Sequence, residues 1–245
     1  ERNLHPDASV DQCRALFLAL GIERGIVVQP SAYGTDNRRT VDAVRELGIE
    51  NFRGTIICTP SISDAELDAL HANGMRGIRV AYPSADIDFA DLPALAARVA
   101  PLGWMIQMSG SAAPDWLARN PGMPVPMMID HMARMPVGTG VNDPAFVDVL
   151  RLLEQDNIWL KLSGPYYTSA VGAPFTDVVA RVRALAAARP DRLVWATNWP
   201  HPQYAMDDKP DAAACLDLLL DAVPDAAVRQ AILCDNPARL YGFVA

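Results

Sequence analysis

Residues 54–82, GTIICTPSISDAELDALHANGMRGIRVAY, show the local pattern that decides the fold. Two short apolar runs, Gly54–Thr59 and Gly77–Tyr82, have the length and composition of buried parallel strands. Between them, Asp64–Ala72 has helical periodicity and follows a capping box that begins at Ser63. The stretch therefore predicts one strand–helix–strand unit whose two strands pair in parallel.

The same unit recurs along the whole chain. Further strands are predicted at Gly25–Gln29, Trp104–Ser109, Met127–His131, Ile158–Ser163 and Leu193–Asn198. Further helices are predicted at Val10–Leu20, Arg38–Leu47, Leu92–Ala100, Ala145–Gln155, Asp177–Ala188 and Ala212–Ala222. No linker or charge run interrupts the alternation, so we predict a single domain over residues 1–245.

The repeat number indicates an α/β fold of the (β/α)8 TIM-barrel type. A doubly wound nucleotide-binding sheet lacks support, because the chain has no Gly-x-Gly-x-x-Gly turn. Only seven strands are predicted, and the chain begins at the approach to a helix. We therefore expect the first strand of the barrel to be missing from this chain, which would leave two unpaired sheet edges.

The composition excludes several classes of function. The 245 residues carry a formal net charge of −8, which opposes binding to nucleic acid or to an anionic membrane surface. No apolar run is long enough to cross a bilayer, and no secretory leader is visible. The four cysteines lie far apart without a Cys-x-x-Cys pair. We predict a soluble cytoplasmic protein with reduced thiols.

Polar residues follow the predicted strands, where the active sites of such barrels lie. They are Gln29, Ser31, Tyr33, Thr59, Arg79, Tyr82, Gln107, Ser109, Asp130, His131, Lys161, Ser163, Tyr166, Tyr167, Asn198 and His201. Because a charged or hydrogen-bonding group is costly to bury, we expect several of them to converge at the barrel mouth.

The histidines and one arginine can be weighed singly. His131 directly follows a predicted strand, so we favour a role in the site over that of a core histidine. His201 suits a catalytic role or the anchoring of the last loop equally well, whereas His5 and His71 are expected at the surface. Arg79 is expected to meet an anion, which is either a substrate carboxylate or an acidic side chain such as Asp130.

Five motifs in register carry a family resemblance. They are Val27–Asn37 (VVQPSAYGTDN), Gly74–Arg79 (GMRGIR), Ile129–Met132 (IDHM), Trp159–Gly164 (WLKLSG) and Trp195–Pro202 (WATNWPHP), followed by the closing NPARLY of residues 236–241. Together they resemble the amidohydrolase superfamily, in the branch of 2-pyrone-4,6-dicarboxylate hydrolase and related sugar-lactone hydrolases and isomerases. The resemblance implies a (β/α)8 barrel that hydrolyses a cyclic ester, usually without a metal.

The chain departs from the family pattern at the metal site. Family members carry a His-x-His pair on the first strand, and this sequence has none. His131 with Asn198 alone is a poor ligand set for zinc, which prefers three or four His, Cys or carboxylate ligands. We therefore predict no metal and no other cofactor.

A second departure concerns the general base. The family pattern at the last strand reads Gly-Thr-Asp-Trp-Pro-His, and its Asp is the expected base that activates water, where this chain has Asn198. A carboxamide orients water but cannot accept its proton. Three explanations stay open: an engineered Asp→Asn change, a natural isomerase that transfers the acyl group between substrate hydroxyls as D-galactarolactone isomerase does, or a catalytically weakened ligand-binding protein.

The resemblance also bears on specificity. Arginines expected to bind two carboxylates are absent from residues 80–84 and 165–167, and Arg79 is retained. We predict a lactonase-type hydrolase for a small carboxylated or polyhydroxylated lactone, with the oligomeric state undecided. The predicted catalytic residues are Asn198, His131 and Ser31, and the predicted substrate-binding residues are Arg79, Tyr33, Gln107, Tyr167 and His201.

Overall fold

The computed structural model describes residues 8–81, 87–204 and 208–243. Its seven strands are β1 (Gly25–Val28), β2 (Phe52–Ile56), β3 (Met75–Ala81), β4 (Met105–Ser109), β5 (Met127–Ile129), β6 (Ile158–Leu162) and β7 (Leu193–Trp195). They form one curled sheet in chain order, in which every neighbouring pair is parallel. The predicted parallel α/β architecture is confirmed, whereas the absence of the first barrel strand from this chain stays a prediction.

Helices connect the strands. They are α1 (Val10–Leu20), α2 (Arg38–Leu47), α3 (Asp64–Ala72), α4 (Leu92–Val99), α5 (Ala113–Arg119), α6 (Pro144–Leu153), α7 (Val179–Ala188), α8 (Ala212–Ala222), α9 (Ala226–Gln230) and α10 (Asn236–Tyr241). The helices α1, α2, α3 and α8 have the predicted bounds, whereas α5, α9 and α10 were not predicted. In the described part of the chain no helix is long and apolar enough to cross a membrane.

The boundaries that were predicted correctly have identifiable side-chain causes. At the start of α3, the backbone N–H of Glu66 donates to Oγ of Ser63 over 3.2 Å, and the Ser63 N–H donates to the Glu66 carboxylate over 2.9 Å. This reciprocal pair satisfies two N–H groups that a helix terminus leaves without partners. The prediction for α7 was wrong by two residues because the carboxylate of Asp177 accepts hydrogen bonds from the loop before it.

Most strands end earlier than predicted, by two or three residues at β2, β5 and β7, and at β5 and β7 the difference concerns the candidate site. β5 ends at Ile129 and β7 at Trp195, so His131 and Asn198 lie in the loops that follow rather than in the sheet. Both residues have left-handed backbones, with φ of 53° for His131 and 57° for Asn198. A left-handed residue cannot continue a strand, so the chain turns away from the sheet at these points.

The C-terminal helix closes the amino-terminal end of the sheet. Leu240, Tyr241 and Phe243 pack with Trp159 and other apolar residues at the beginnings of the strands. The side-chain amide of Asn236 donates to the carbonyls of Pro190 (2.7 Å) and Leu193 (2.8 Å), which fixes α10 below β7. The polar residues lie at the opposite end of the sheet, where the strands finish.

Candidate active site

Arg79 joins three strands at the carboxyl end of the sheet. Its Nη1 donates to Oγ of Ser31 over 2.7 Å and to the carbonyl of Gln29 over 3.4 Å, and its Nη2 lies 3.4 Å from Oγ of Ser109. Burial lowers the pKa of Arg79, and the charge of Asp130 opposes that shift. Ser31 and Arg79, each predicted as a site residue, are thus in direct contact although they lie 48 positions apart in the chain.

Close to Arg79, the buried side chains of Lys161, Asp130 and Gln107 form a second polar group inside the sheet. Nζ of Lys161 lies 2.8 Å from Oδ1 of Asp130, and Nε2 of Gln107 donates to Oδ2 of Asp130 over 2.8 Å. Asp130 is 2% exposed and Lys161 is 6% exposed. Burial would raise the pKa of Asp130, but the charges of Lys161, His131 and Arg79 lower it to about 2. The carboxylate is therefore a fixed anion and a poor proton acceptor at neutral pH.

The sequence left open whether Arg79 pairs with Asp130. In the structure Asp130 forms its ion pair with Lys161, and Arg79 bonds to Ser31 instead. The guanidinium of Arg79 is therefore not neutralised by a direct carboxylate partner among the described residues.

His131 is buried beside the end of β6. Its Nδ1 lies 2.8 Å from Oγ of Ser163, and its ring and that of Tyr167 pack edge to face with 5.2 Å between centroids. Burial lowers the pKa of His131 to about 4; Asp130 opposes this shift, and nearby cations such as Lys161 reinforce it. The imidazole is consequently neutral at pH 7.

Asn198 lies at the centre of an aromatic cluster. Its Nδ2 donates to Oη of Tyr166 over 2.7 Å and to Oη of Tyr167 over 3.2 Å. Oη of Tyr166 lies 2.9 Å from Nδ1 of His201, whose pKa is lowered to about 4 by burial first and by Lys209 second. The predicted residues Asn198, Tyr167 and His201 therefore belong to one hydrogen-bonded group, and Tyr166 is the member that links His201 to it.

Arg134 is a site residue that the sequence analysis missed. Its guanidinium carbon lies 4.3 Å from the ring centroid of Tyr167, and its buried Nε has no hydrogen-bond partner among the described residues. The four residues from His131 to Arg134 all have left-handed backbones, with φ between 46° and 61°. This turn brings Arg134 back over the site, and the available signal was a basic residue three positions after His131.

The backbone of Gly164 makes room for Tyr167. A Cβ added at Gly164 would lie 2.6 Å from Cδ2 of Tyr167, and the residue has φ of +58°. Both the close approach and the left-handed backbone favour glycine at this position. The ring of Tyr167 therefore lies close to both the Gly164 backbone and the Arg134 guanidinium.

Some predicted residues lie elsewhere. Tyr33 is 46% exposed in the turn after β1, and no side-chain contact joins it to the cluster among the described residues. His71, which was expected at the surface, is half-buried, and its Nδ1 accepts a hydrogen bond from Nε1 of Trp104 over 2.9 Å. His5 and Tyr82 lie outside the described residues.

The donor set does not fit a divalent metal. Over residues 8–81, 87–204 and 208–243, no three His, Cys, Asp or Glu side chains converge in a way that could hold an ion. The acidic group nearest to His131 in the chain, Asp130, already has Lys161 as its counter-ion, and Nδ1 of His131 is bonded to Ser163.

Comparison with known proteins places the chain in a family. The family model described as amidohydrolase matches residues 2–243. The chain belongs to this family, as the motifs around Arg79, His131 and Asn198 predicted.

The chain is similar to two named relatives and to one solved structure. The chain is 37% identical to 2-pyrone-4,6-dicarboxylate hydrolase of Comamonas testosteroni, over 98% of this chain and 83% of that protein. It is 32% identical to D-galactarolactone isomerase of Agrobacterium fabrum, over 93% of this chain and 79% of that protein. An apo crystal structure from Agrobacterium tumefaciens is 30% identical with a TM-score of 0.86, over 96% of this chain and 85% of that chain.

Proposed function

We propose that this protein is a lactonase-type enzyme that opens a small carboxylated lactone without a metal. We further propose that the incoming nucleophile is a hydroxyl of the substrate rather than water, so that the net reaction is lactone isomerisation. The named relatives support the substrate class, because one is a lactone hydrolase and another is a lactone isomerase. The choice between the two outcomes depends on the residues of this chain.

The observation that carries the proposal is the position of Asn198. Its amide donates to the hydroxyls of both Tyr166 and Tyr167, at the place where the family pattern has a carboxylate. An amide has no basic oxygen that could take a proton from water at neutral pH. The nearby carboxylate of Asp130 does not replace it, since its pKa is about 2 and Lys161 holds it in an ion pair.

Magnitudes favour an internal nucleophile in such a site. General-base catalysis contributes about 10²–10⁴ in rate, which corresponds to about 3–5 kcal/mol of activation free energy. A well-oriented intramolecular reaction gains about 7–11 kcal/mol from proximity. For a substrate hydroxyl held against the lactone carbonyl, the free energy gained from proximity therefore exceeds the contribution of the missing general base. A bound water molecule gains less from proximity.

Ser31 and His131 are the groups proposed to polarise the carbonyl. Oγ of Ser31 accepts a hydrogen bond from Arg79, so its own proton is free for the carbonyl oxygen of a substrate. When Ser163 donates to Nδ1 of His131, the other ring nitrogen carries the proton of the neutral imidazole and is a second donor. Two such donors stabilise the negative charge that develops on the carbonyl oxygen.

Arg79 and Arg134 are the groups proposed to bind the carboxylate of the substrate. Neither has a carboxylate partner among the described residues, and each is partly buried at the site. A cation in such a position gains most from an anionic ligand because water screens the pair poorly. Gln107 is buried and donates a hydrogen bond to Asp130, so its proposed role is to hold the Asp130 carboxylate in place.

A panel of lactones tests the proposal. Carboxylated 1,4- and 1,5-sugar lactones would be incubated with the protein and followed by ¹³C NMR, with the same lactones as neutral methyl esters for comparison. We expect conversion between ring sizes for a carboxylated lactone and little or none for its ester. Binding without conversion of any lactone would contradict the proposal and support a ligand-binding protein instead.

A further inference from the structure

Tyr166 and Tyr167 are adjacent in the chain and share one hydrogen-bond donor, but their hydroxyl protons have different surroundings. Both oxygens accept from Nδ2 of Asn198, over 2.7 Å for Tyr166 and 3.2 Å for Tyr167. Oη of Tyr166 also lies 2.9 Å from Nδ1 of His201, which accepts the Tyr166 proton when that ring nitrogen is the unprotonated one. Apart from the neighbouring Tyr166 hydroxyl, the Tyr167 hydroxyl has no hydrogen-bond acceptor among the described residues, so its proton is the one available to a substrate.

The ring of Tyr167 is also better placed than that of Tyr166 for stabilising negative charge on its hydroxyl oxygen. It packs against His131 in an edge-to-face arrangement, and the guanidinium of Arg134 lies 4.3 Å from its centroid. A cation over the face of a phenol stabilises negative charge that develops on the ring and its oxygen. The close approach of Gly164 fixes the ring, because no Cβ separates the backbone from it. Tyr166 instead packs against Tyr204 and His201.

We propose that the Tyr167 hydroxyl is the proton shuttle of the acyl transfer, an inference that rests on the proposed function. A substrate hydroxyl attacks the lactone carbonyl carbon and forms the new C–O bond, and its proton passes to Oη of Tyr167. The original Tyr167 proton passes to the ring oxygen as the old C–O bond breaks. The phenol regains its starting state, and the substrate neither gains nor loses an atom.

Asn198 has a defined part in this step. Because its amide donates to the Tyr167 oxygen, it orients the remaining lone pair and the proton of that hydroxyl towards the substrate. It also stabilises the partial negative charge that arises when the two proton transfers are not simultaneous. Asn198 is thus a positioning residue for Tyr167, and a carboxylate at this position would instead accept the Tyr167 proton and remove it from the substrate.

The neighbouring tyrosine provides a matched control for the test. Tyr167→Phe and Tyr166→Phe each remove one hydroxyl that bonds to the same amide, and both keep the aromatic ring. We expect Tyr167→Phe to lower kcat for lactone isomerisation by about 100-fold or more, with KM within a few-fold of the wild type, because proton transfer by a positioned group contributes about 10²–10⁴. Tyr166→Phe should lower kcat by less than tenfold.

A second measurement keeps the inference testable if a variant is unstable. The wild-type protein should isomerise the lactone more slowly in D2O than in H2O, since two protons move in the step. A Tyr167→Phe loss below tenfold, a Tyr166→Phe loss as large as that of Tyr167→Phe, or equal wild-type rates in both solvents would overturn the shuttle. If the wild type converts no lactone of the panel, the proposed function itself falls and the shuttle with it.

Discussion

Nζ of Lys161 lies 2.8 Å from Oδ1 of Asp130 in a layer that is almost closed to solvent. Removing one member of a buried ion pair leaves the other charge without compensation, which costs about 3–5 kcal/mol. We expect Lys161→Met and Asp130→Asn each to lower the free energy of unfolding by about this amount. Urea denaturation monitored by tryptophan fluorescence measures the change.

An exposed pair serves as the control for this prediction. Arg151 and Asp148 form a surface ion pair at 2.9 Å, and Arg151→Ala should cost less than about 1 kcal/mol. Equal, small losses for Lys161→Met and Arg151→Ala would show that the buried pair is not needed for stability.

The pH dependence of stability is a second check on this pair. The pKa of Asp130 is about 2 in the folded protein, below its ordinary value of 3.8. The contribution of Asp130 is therefore complete above about pH 4 and is lost as the pH falls towards 2.

His131 should titrate far below an ordinary histidine. Its pKa is lowered to about 4, mainly by burial, so the folded protein resists protonating it while the unfolded chain accepts the proton near pH 6.5. Stability linked to His131 is thus fully present above pH 6.5 and is lost as the pH falls from 6.5 to 4. We expect the ring signal that disappears in His131→Asn to shift near pH 4 in an NMR titration. A midpoint near 6.5 would mean that the imidazole is solvated.

The two site arginines should decide between charged and neutral substrates. A hydrogen bond to a charged group is worth about 1.5–3 kcal/mol, so Arg79→Gln and Arg134→Gln should each lower kcat/KM for a carboxylated lactone by about 10- to 150-fold. The kcat/KM for the methyl ester of the same lactone should fall much less. Steady-state kinetics on both substrates, with Arg151→Gln as an exposed control, measures the difference. Equal losses for acid and ester would place the carboxylate elsewhere.

Much of the fold could be predicted because its signals are local. The strand–helix repeat follows from hydrophobic periodicity, and α3 starts where Ser63 and Glu66 cap it. The short helices α5, α9 and α10 were missed because five to seven residues carry too little periodicity to separate a helix from a loop. The early ends of β5 and β7 depend on left-handed backbones at His131 and Asn198, which neither residue type requires.

The candidate site was predictable in part for a similar reason. Parallel strands all finish at one edge, so Ser31, Arg79 and His131 could be assigned to the same end of the sheet from position alone. The partners of each residue could not, because they depend on loop paths: the left-handed turn after His131 brings Arg134 onto Tyr167, and the last loop brings Asn198 between two tyrosines. Tyr33 was included on position and lies exposed instead.

Restoring the family carboxylate should redirect the reaction. Asn198→Asp places a base where the amide now donates to Tyr166 and Tyr167, so we expect hydrolysis to rise by about 10²-fold or more. Isomerisation should fall, because the new carboxylate accepts the Tyr167 proton. Product analysis by ¹³C NMR separates the two activities. A variant with unchanged rates for both would show that position 198 is not at the centre of the chemistry.

The most direct measurement of the central claim is isotope incorporation from H2¹⁸O during turnover of a carboxylated lactone by the wild-type protein. Transfer of the acyl group to a substrate hydroxyl predicts an isomerised lactone that contains no ¹⁸O at any stage of the reaction. A ring-opened acid with one ¹⁸O in its new carboxylate as the main product would contradict the account, because water would then be the nucleophile.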